Sequence, residues 1–230
     1  MKKPLFALLL SISTLAFAQE SPTEGAKLTL TPQLSTLGAG FSIGSYGIGD
    51  HLKLRGNING LSIDKDFRNN SVLYSGKAHL LTAGVIGDYY FSPTSGFHAS
   101  AGLYYNENAM KGTGSYNGNV AVNTGRGIIN INPSNYGNIG FEATFAKVAP
   151  YVGLGYHTQV KEGLSLALDL GVLYQGNAKM TYDMPAGYRT LANANPAFNS
   201  LVQSNKQYLQ DQANKFKMYP VISIGLGYTF

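Results

Sequence analysis

Six ionisable side chains stand out for where their spacing puts them. Lys53, Arg55, Asp88, His98, His157 and Asp169 lie on the polar side of stretches that alternate apolar residues with small or polar ones. Alternation with a period of two is the mark of a β-strand with one face in an apolar medium. Two cations, two carboxylates and two imidazoles gathered inside one enclosure have two uses. One is structural: Lys53 and Arg55 compensate Asp88 and Asp169, because buried charges need partners. The other is passage, in which the same groups line a narrow polar path and set its charge preference. The chain has no cysteine, which removes C-x-x-C metal sites, and its four histidines fall into no metal-ligand pattern. Neither a metal nor a cofactor is expected.

Eight alternating segments are available to position these groups. They run at about 28–36, 39–48, 52–61, 79–91, 97–106, 147–160, 164–176 and 218–230. The seventh is the clearest. Leu164, Leu166, Leu168, Leu170, Val172 and Tyr174 share one face, and Ser165, Ala167, Asp169, Gly171 and Gln175 the other. In the last, Ile222, Ile224, Leu226, Tyr228 and Phe230 share one face, with Val221, Ser223, Gly225, Gly227 and Thr229 opposite. A greasy face on every strand is what a membrane barrel needs, with lipid outside and polar or small residues inside. Outward Tyr89, Phe91, Phe97, Tyr156, Tyr228 and Phe230 then form the inner aromatic girdle, and Tyr105 and Tyr174 the outer one.

The connections alternate in length. Those at 49–51, 92–96 and 161–163 are short, whereas 62–76, 107–146 and 177–217 are long. Bacterial outer-membrane barrels alternate short periplasmic turns with longer outer loops in this way. Both termini of the chain should then be periplasmic, which demands an even strand count. The first two segments are therefore separate strands, joined by a tight outer connection near Leu37-Gly38. Within the last long loop, Phe198, Leu201, Val202, Leu209, Ala213 and Phe216 recur at helical spacing. Asn195 can cap that run and Pro196 suits its first position, so a short amphipathic helix is predicted over the barrel mouth.

At the start of the chain, Lys2 and Lys3 precede an apolar run from Leu5 to Phe17 and an Ala16-Phe17-Ala18 site. That is the pattern of a cleavable secretory signal peptide, and the run is too short to span a membrane as a helix. Residues 1–18 are assigned to the signal, 19–27 to a periplasmic segment and 28–230 to the barrel. Without Lys2 and Lys3 the seventeen basic residues fall to fifteen against twelve acidic ones, and the net charge falls from +5 to +3. Those charges are scattered, with no basic patch interleaved by aromatics, so nucleic-acid binding is not expected.

His98-x-Ser100 resembles the His-x-Ser pair of lipid A deacylases. In those enzymes the pair faces lipid at the outer rim, beside an acidic residue. Here both residues face the lumen near the inner rim, and no enzymatic activity is expected.

The second half of the chain carries a family resemblance. Val148-Ala-Pro-Tyr-Val-Gly-Leu-Gly-Tyr156, Leu168-Asp-Leu-Gly-Val-Leu-Tyr-Gln-Gly-Asn-Ala-Lys179 and Phe216-Lys-Met-Tyr-Pro-Val-Ile-Ser-Ile-Gly-Leu-Gly-Tyr-Thr-Phe230 resemble small proteobacterial outer-membrane barrels of the OmpW/OmpA-like kind. More distantly they are similar to the carbapenem-associated outer-membrane protein, CarO. The resemblance implies a small barrel with long outer loops. For CarO-type members it implies passive uptake of small, often basic, amino-acid-like solutes. Tyr228 and Phe230 resemble the closing-strand signal that the barrel-assembly machinery reads.

The expectation is an all-β chain: an eight-stranded antiparallel transmembrane β-barrel with short periplasmic turns, long outer loops and one short loop helix. It is placed in the bacterial outer membrane as a monomer, with lipid and the assembly machinery as partners. Its expected role is a narrow passive channel for small polar solutes. The alternative is a closed barrel with a structural or surface-interaction role. A continuous water-wide path would favour the channel, and a salt-bridged plug the closed form.

Overall fold

The computed structural model describes residues 28–48, 51–69, 72–92, 94–116, 118–123 and 127–230. The expected signal peptide, the 19–27 segment and part of the 49–51 turn lie outside the described residues. The strands are β1 (Leu28–Ser35), β2 (Gly38–Ile48), β3 (Leu52–Asn69), β4 (Val72–Tyr90), β5 (Phe97–Asn106), β6 (Ala109–Tyr116), β7 (Val120–Asn123), β8 (Ile128–Ile131), β9 (Ile139–Thr144), β10 (Val148–Lys161), β11 (Leu164–Tyr174), β12 (Lys179–Asp183) and β13 (Met218–Thr229). Two helices, α1 (Ala186–Ala194) and α2 (Pro196–Asn214), lie between β12 and β13.

Eight of the strands close into an antiparallel ring. Its order is β1-β2-β3-β4-β5-β10-β11-β13, with β13 paired back onto β1. The first two segments are indeed separate strands. A two-residue turn at Thr36-Leu37 joins them, and Gly38 enters β2 with φ +114°, a conformation that side chains other than glycine rarely adopt. Alternate residues face out of the ring, as the period-two pattern requires. Val85, Leu170 and Ile222 are 65%, 66% and 55% exposed, whereas Val221, Ser223 and Asp169 are buried. The aromatic residues expected outside are outside: Tyr89, Phe91, Phe97, Tyr105, Tyr174, Tyr228 and Phe230 are all exposed. Tyr156 is half covered by Phe97, at a ring separation of 4.7 Å.

The short turns gather at one end of the ring, the turn end, and the long connections at the other, the loop end. There the expected loops give way to ordered structure. β3 and β4 continue past the ring as a paired extension up to Asn69 and Val72. β5 and β6 meet β4 in one register, Asn106 opposite Thr82 and Ala109 opposite His79, so they are one strand in two pieces. β9 pairs with β6 in the register that β10 keeps with β5, and β12 adds to β9. The wall therefore stands tall over β3, β4, β6, β9 and β12. Over β1 and β2 it stops at the Thr36-Leu37 turn.

This half-wall corrects the assignment of 62–76 and much of 107–146 and 177–217 as loops. Ser62-Ile-Asp-Lys-Asp-Phe-Arg68 shows no greasy face because most of both faces is in water, and alternation marks a strand only where one face is apolar.

The expectation of one loop helix is corrected to two. α2 begins where expected: the Asn195 side chain accepts from the Phe198 backbone N–H, with Pro196 in the first turn. α1 has no side-chain cap and only nine residues, which leaves little sequence signal. Both helices pack on the inner face of the half-wall. Leu209 meets Val72 and Tyr74, Ala213 meets Ala143 and Phe145, and Tyr188, Leu191, Phe198 and Val202 form a further cluster. Asn195→Ala should destabilise the start of α2 by about 1 kcal/mol. Its side chain also donates to Ala121 O, so the β7 region should loosen with it. Faster amide exchange at Phe198–Val202, with the ring strands unchanged, is the expected result.

Candidate functional site: a charged cluster inside the barrel

Each of the six sequence-predicted residues reaches one internal pocket near the turn end. Lys53 and Arg55 come from β3, Asp88 from β4, His98 from β5, His157 from β10 and Asp169 from β11. Beyond them towards the turn end, the lumen widens into an open vestibule of about 930 Å³, lined in part by Lys53, His157, Gln159 and Lys161.

Arg55 is the centre of the cluster. Its Nη1 and Nη2 donate to Asp169 Oδ2 and Oδ1 at 3.0 and 2.8 Å, a two-pronged pair. Its Nε lies 2.8 Å from Asp88 Oδ2, close enough for an ion pair but without hydrogen-bond alignment. Asp88 sits on the neighbouring strand and Asp169 on a strand not adjacent to β3, so the guanidinium ties the barrel across its interior. Ser100 Oγ donates to Asp88 Oδ1 at 2.6 Å, and His98 Nε2 stands 3.4 Å from Asp169 Oδ1. Arg55 thus meets both carboxylates, where the expectation shared them between Lys53 and Arg55. Lys53 places its Nζ 4.0 Å from the centroid of the Tyr90 ring. His98 and Ser100 face inward, each against a carboxylate.

Toward the loop end the space narrows. Tyr104 and Tyr151, both 2% exposed, meet edge to face at 5.6 Å. Asn57 Nδ2 donates to the Tyr104 hydroxyl at 2.6 Å, and Gln33 Nε2 donates to Asn59 Oδ1 at 2.7 Å. The cavity left between this layer and Arg55 is about 10 Å³, at or below the space that one water needs. Above it Leu37, Ile86, Ala149, Leu173 and Val221 join the two tyrosines in an apolar layer. A layer of amides follows where the ring meets the half-wall. Asn108 and Asn106 both donate to Gln175 Oε1, and Gln175 Nε2 donates to Phe216 O. These amides occupy backbone groups freed by the breaks between β5 and β6 and between β11 and β12.

Tyr104 and Tyr151 were not singled out from the sequence. Their signal was the inward glycines. A Cβ at Gly84 would crowd the Tyr104 ring at 2.8 Å, and one at Gly171 the Tyr151 ring at 2.6 Å. Large residues opposite glycines mark a filled lumen. Among the described residues, no group of three or more His, Cys, Asp or Glu side chains is arranged to hold a metal ion.

No protein-family model matches the chain, and no curated protein sequence matches it. Solved structures do. Acinetobacter baumannii CarO2 superposes with a TM-score of 0.58 at 16% identity, covering 89% of this chain and 99% of that one. Acinetobacter baumannii CarO gives 0.54, also at 16% identity, covering 88% and 97%. The similarity spans nearly the whole of both proteins at an identity that speaks for the fold alone: this chain has the fold of the CarO barrels.

Proposed function

We propose that the chain is an integral outer-membrane barrel whose lumen is closed, and that its working surface is the ordered half-wall and helices at the loop end, facing outward. The placement rests on the belt of exposed apolar side chains around the ring. Each such side chain is only partly exposed, so leaving it in water rather than hydrocarbon costs on the order of 1 kcal/mol. Export by a cleaved signal peptide, recognition of Tyr228 and Phe230 by the assembly machinery and a monomeric state belong to the same reading. No enzymatic step is part of it.

The observation that carries the closed form is the sequence of layers: Arg55 bridged to Asp88 and Asp169, then the Tyr104–Tyr151 pair, then the amides around Gln175. Such a plug fits a structural or surface-interaction role better than diffusion. The channel reading keeps one observation, the wide charged vestibule, and it requires the tyrosine layer to move. Planar-bilayer recording with the purified protein decides between them. The closed reading expects conductance at background, unchanged in Lys53→Ala. A steady conductance whose ion preference shifts in Lys53→Ala would overturn it.

A further inference from the structure

Cations are in excess where the apolar belt gives way to the half-wall. Beyond the belt at the loop end, the described residues within 61–82, 106–147 and 175–217 include ten basic side chains against six acidic ones. Both tyrosines of the outer girdle have a lysine over the ring. Lys147 Nζ lies 5.8 Å from the centroid of Tyr105, and Lys217 Nζ 5.8 Å from that of Tyr174. A ring at the edge of the belt with an ammonium above it marks the level at which hydrocarbon meets charged headgroups. On the same side of the molecule, the outer face of the half-wall carries a groove of about 390 Å³, lined in part by Lys77, His79, Lys111, Lys147, Glu107 and Glu142. Lys77 on β4 and Lys111 on β6 are direct cross-strand partners, and like charges so placed repel.

Each lysine has a carboxylate nearby: Asp64 at 3.7 Å from Lys77, Glu142 at 3.0 Å from Lys111 and Glu107 at 3.1 Å from Lys147. All six side chains are 38–78% exposed, and ion pairs in water hold their members weakly. A phosphate ester brings more charge and three strong acceptor oxygens, and it relieves the repulsion between Lys77 and Lys111 by sitting between them. Height selects the kind of headgroup. Tyr105 is level with Ala83, and Lys77 stands six residues further along β4. At about 3.3 Å per residue on a tilted strand, that is roughly 15 Å above the girdle, whereas a simple phospholipid headgroup layer is only about 5–7 Å deep. We infer that this groove binds the phosphorylated sugar headgroup of an anionic glycolipid in the outer leaflet, with Lys77 and Lys111 sharing a phosphate and Lys147 meeting the headgroup at the belt. The inference rests on the proposed outward-facing half-wall and assigns its outer face a ligand.

The test is a titration of the full protein, in neutral detergent, with a short-chain lipopolysaccharide whose inner sugars carry phosphate. The comparison lipids are the same molecule after hydrofluoric acid has removed its phosphates, and phosphatidylglycerol. Saturable binding of the phosphorylated glycolipid alone is the expected result. Lys77→Gln/Lys111→Gln should weaken it about thirtyfold, roughly fivefold for each lysine near an anionic surface. That variant removes a repulsive pair, so it should fold as the parent does. Lys65→Gln/Lys206→Gln removes equal charge elsewhere on the half-wall and its helices and should bind within about twofold of the parent. Four results overturn the inference: equal binding of the dephosphorylated lipid or of phosphatidylglycerol, displacement by inorganic phosphate, undiminished affinity in Lys77→Gln/Lys111→Gln, or an equal loss in the control pair. A failure of the outward-facing reading would appear separately. The chain has no cysteine, and Arg68→Cys would then escape an impermeant maleimide on whole cells.

Discussion

Replacing Arg55 with methionine should lower the stability of the barrel by about 3–5 kcal/mol, because it leaves Asp88 and Asp169 buried without their cation. Methionine fills a similar volume, so the loss reports charge rather than packing. Arg55→Lys should fall between the two. A lysine keeps the charge but cannot bond Asp169 through two nitrogens while also reaching Asp88. Urea titration of the folded protein in lipid, followed by circular dichroism, gives the midpoints. Equal midpoints for all three proteins would mean that water reaches the cluster and screens it.

The second large effect belongs to the tyrosine layer. On the closed reading, Tyr104→Ala/Tyr151→Ala should conduct where the parent protein stays silent, because the double truncation empties the tyrosine layer beside Gly84, Gly153 and Gly171. Each truncation should cost about 3–5 kcal/mol, in line with other buried aromatic deletions. Tyr104→Phe is the control: it keeps the ring, loses the hydrogen bond from Asn57 and should stay silent. Silence in a correctly folded double variant would place the main obstruction in the apolar and amide layers above.

Much of this arrangement was legible in the sequence, for a reason that particular residues make plain. Leu164 to Tyr174 and Met218 to Thr229 alternate because one face meets an apolar medium and the other the lumen, so parity alone put Asp169 inside. The six ionisable residues reach one pocket by the same logic. What parity cannot give is who pairs with whom. That Arg55 takes both carboxylates depends on β3 facing β11 across the ring, a relation set by closure and not by local pattern. The half-wall was illegible for the opposite reason. Lys77, Lys111 and Glu142 stand side by side on its outer face, where no apolar belt imprints a period. Its inner face is greasy only in patches, where α1 and α2 cover it, and those contacts come from segments about a hundred residues away along the chain.

The β1–β13 pairing has a consequence for how the molecule forms. Thr29 and Thr229 are bonded to each other across two hundred residues, whereas the neighbouring β1–β2 and β10–β11 pairs are joined by tight turns. The chain entropy lost on joining two points rises with the logarithm of the separation, so this seam is the most demanding contact in the ring and is due to form late. Until it zips, the ring is an open, curved sheet with two raw edges. The helices and the half-wall, built from segments on the near side of that seam, can assemble before the last strand shuts it. The topology thus lets the crown of the molecule be ready before its waist is fastened.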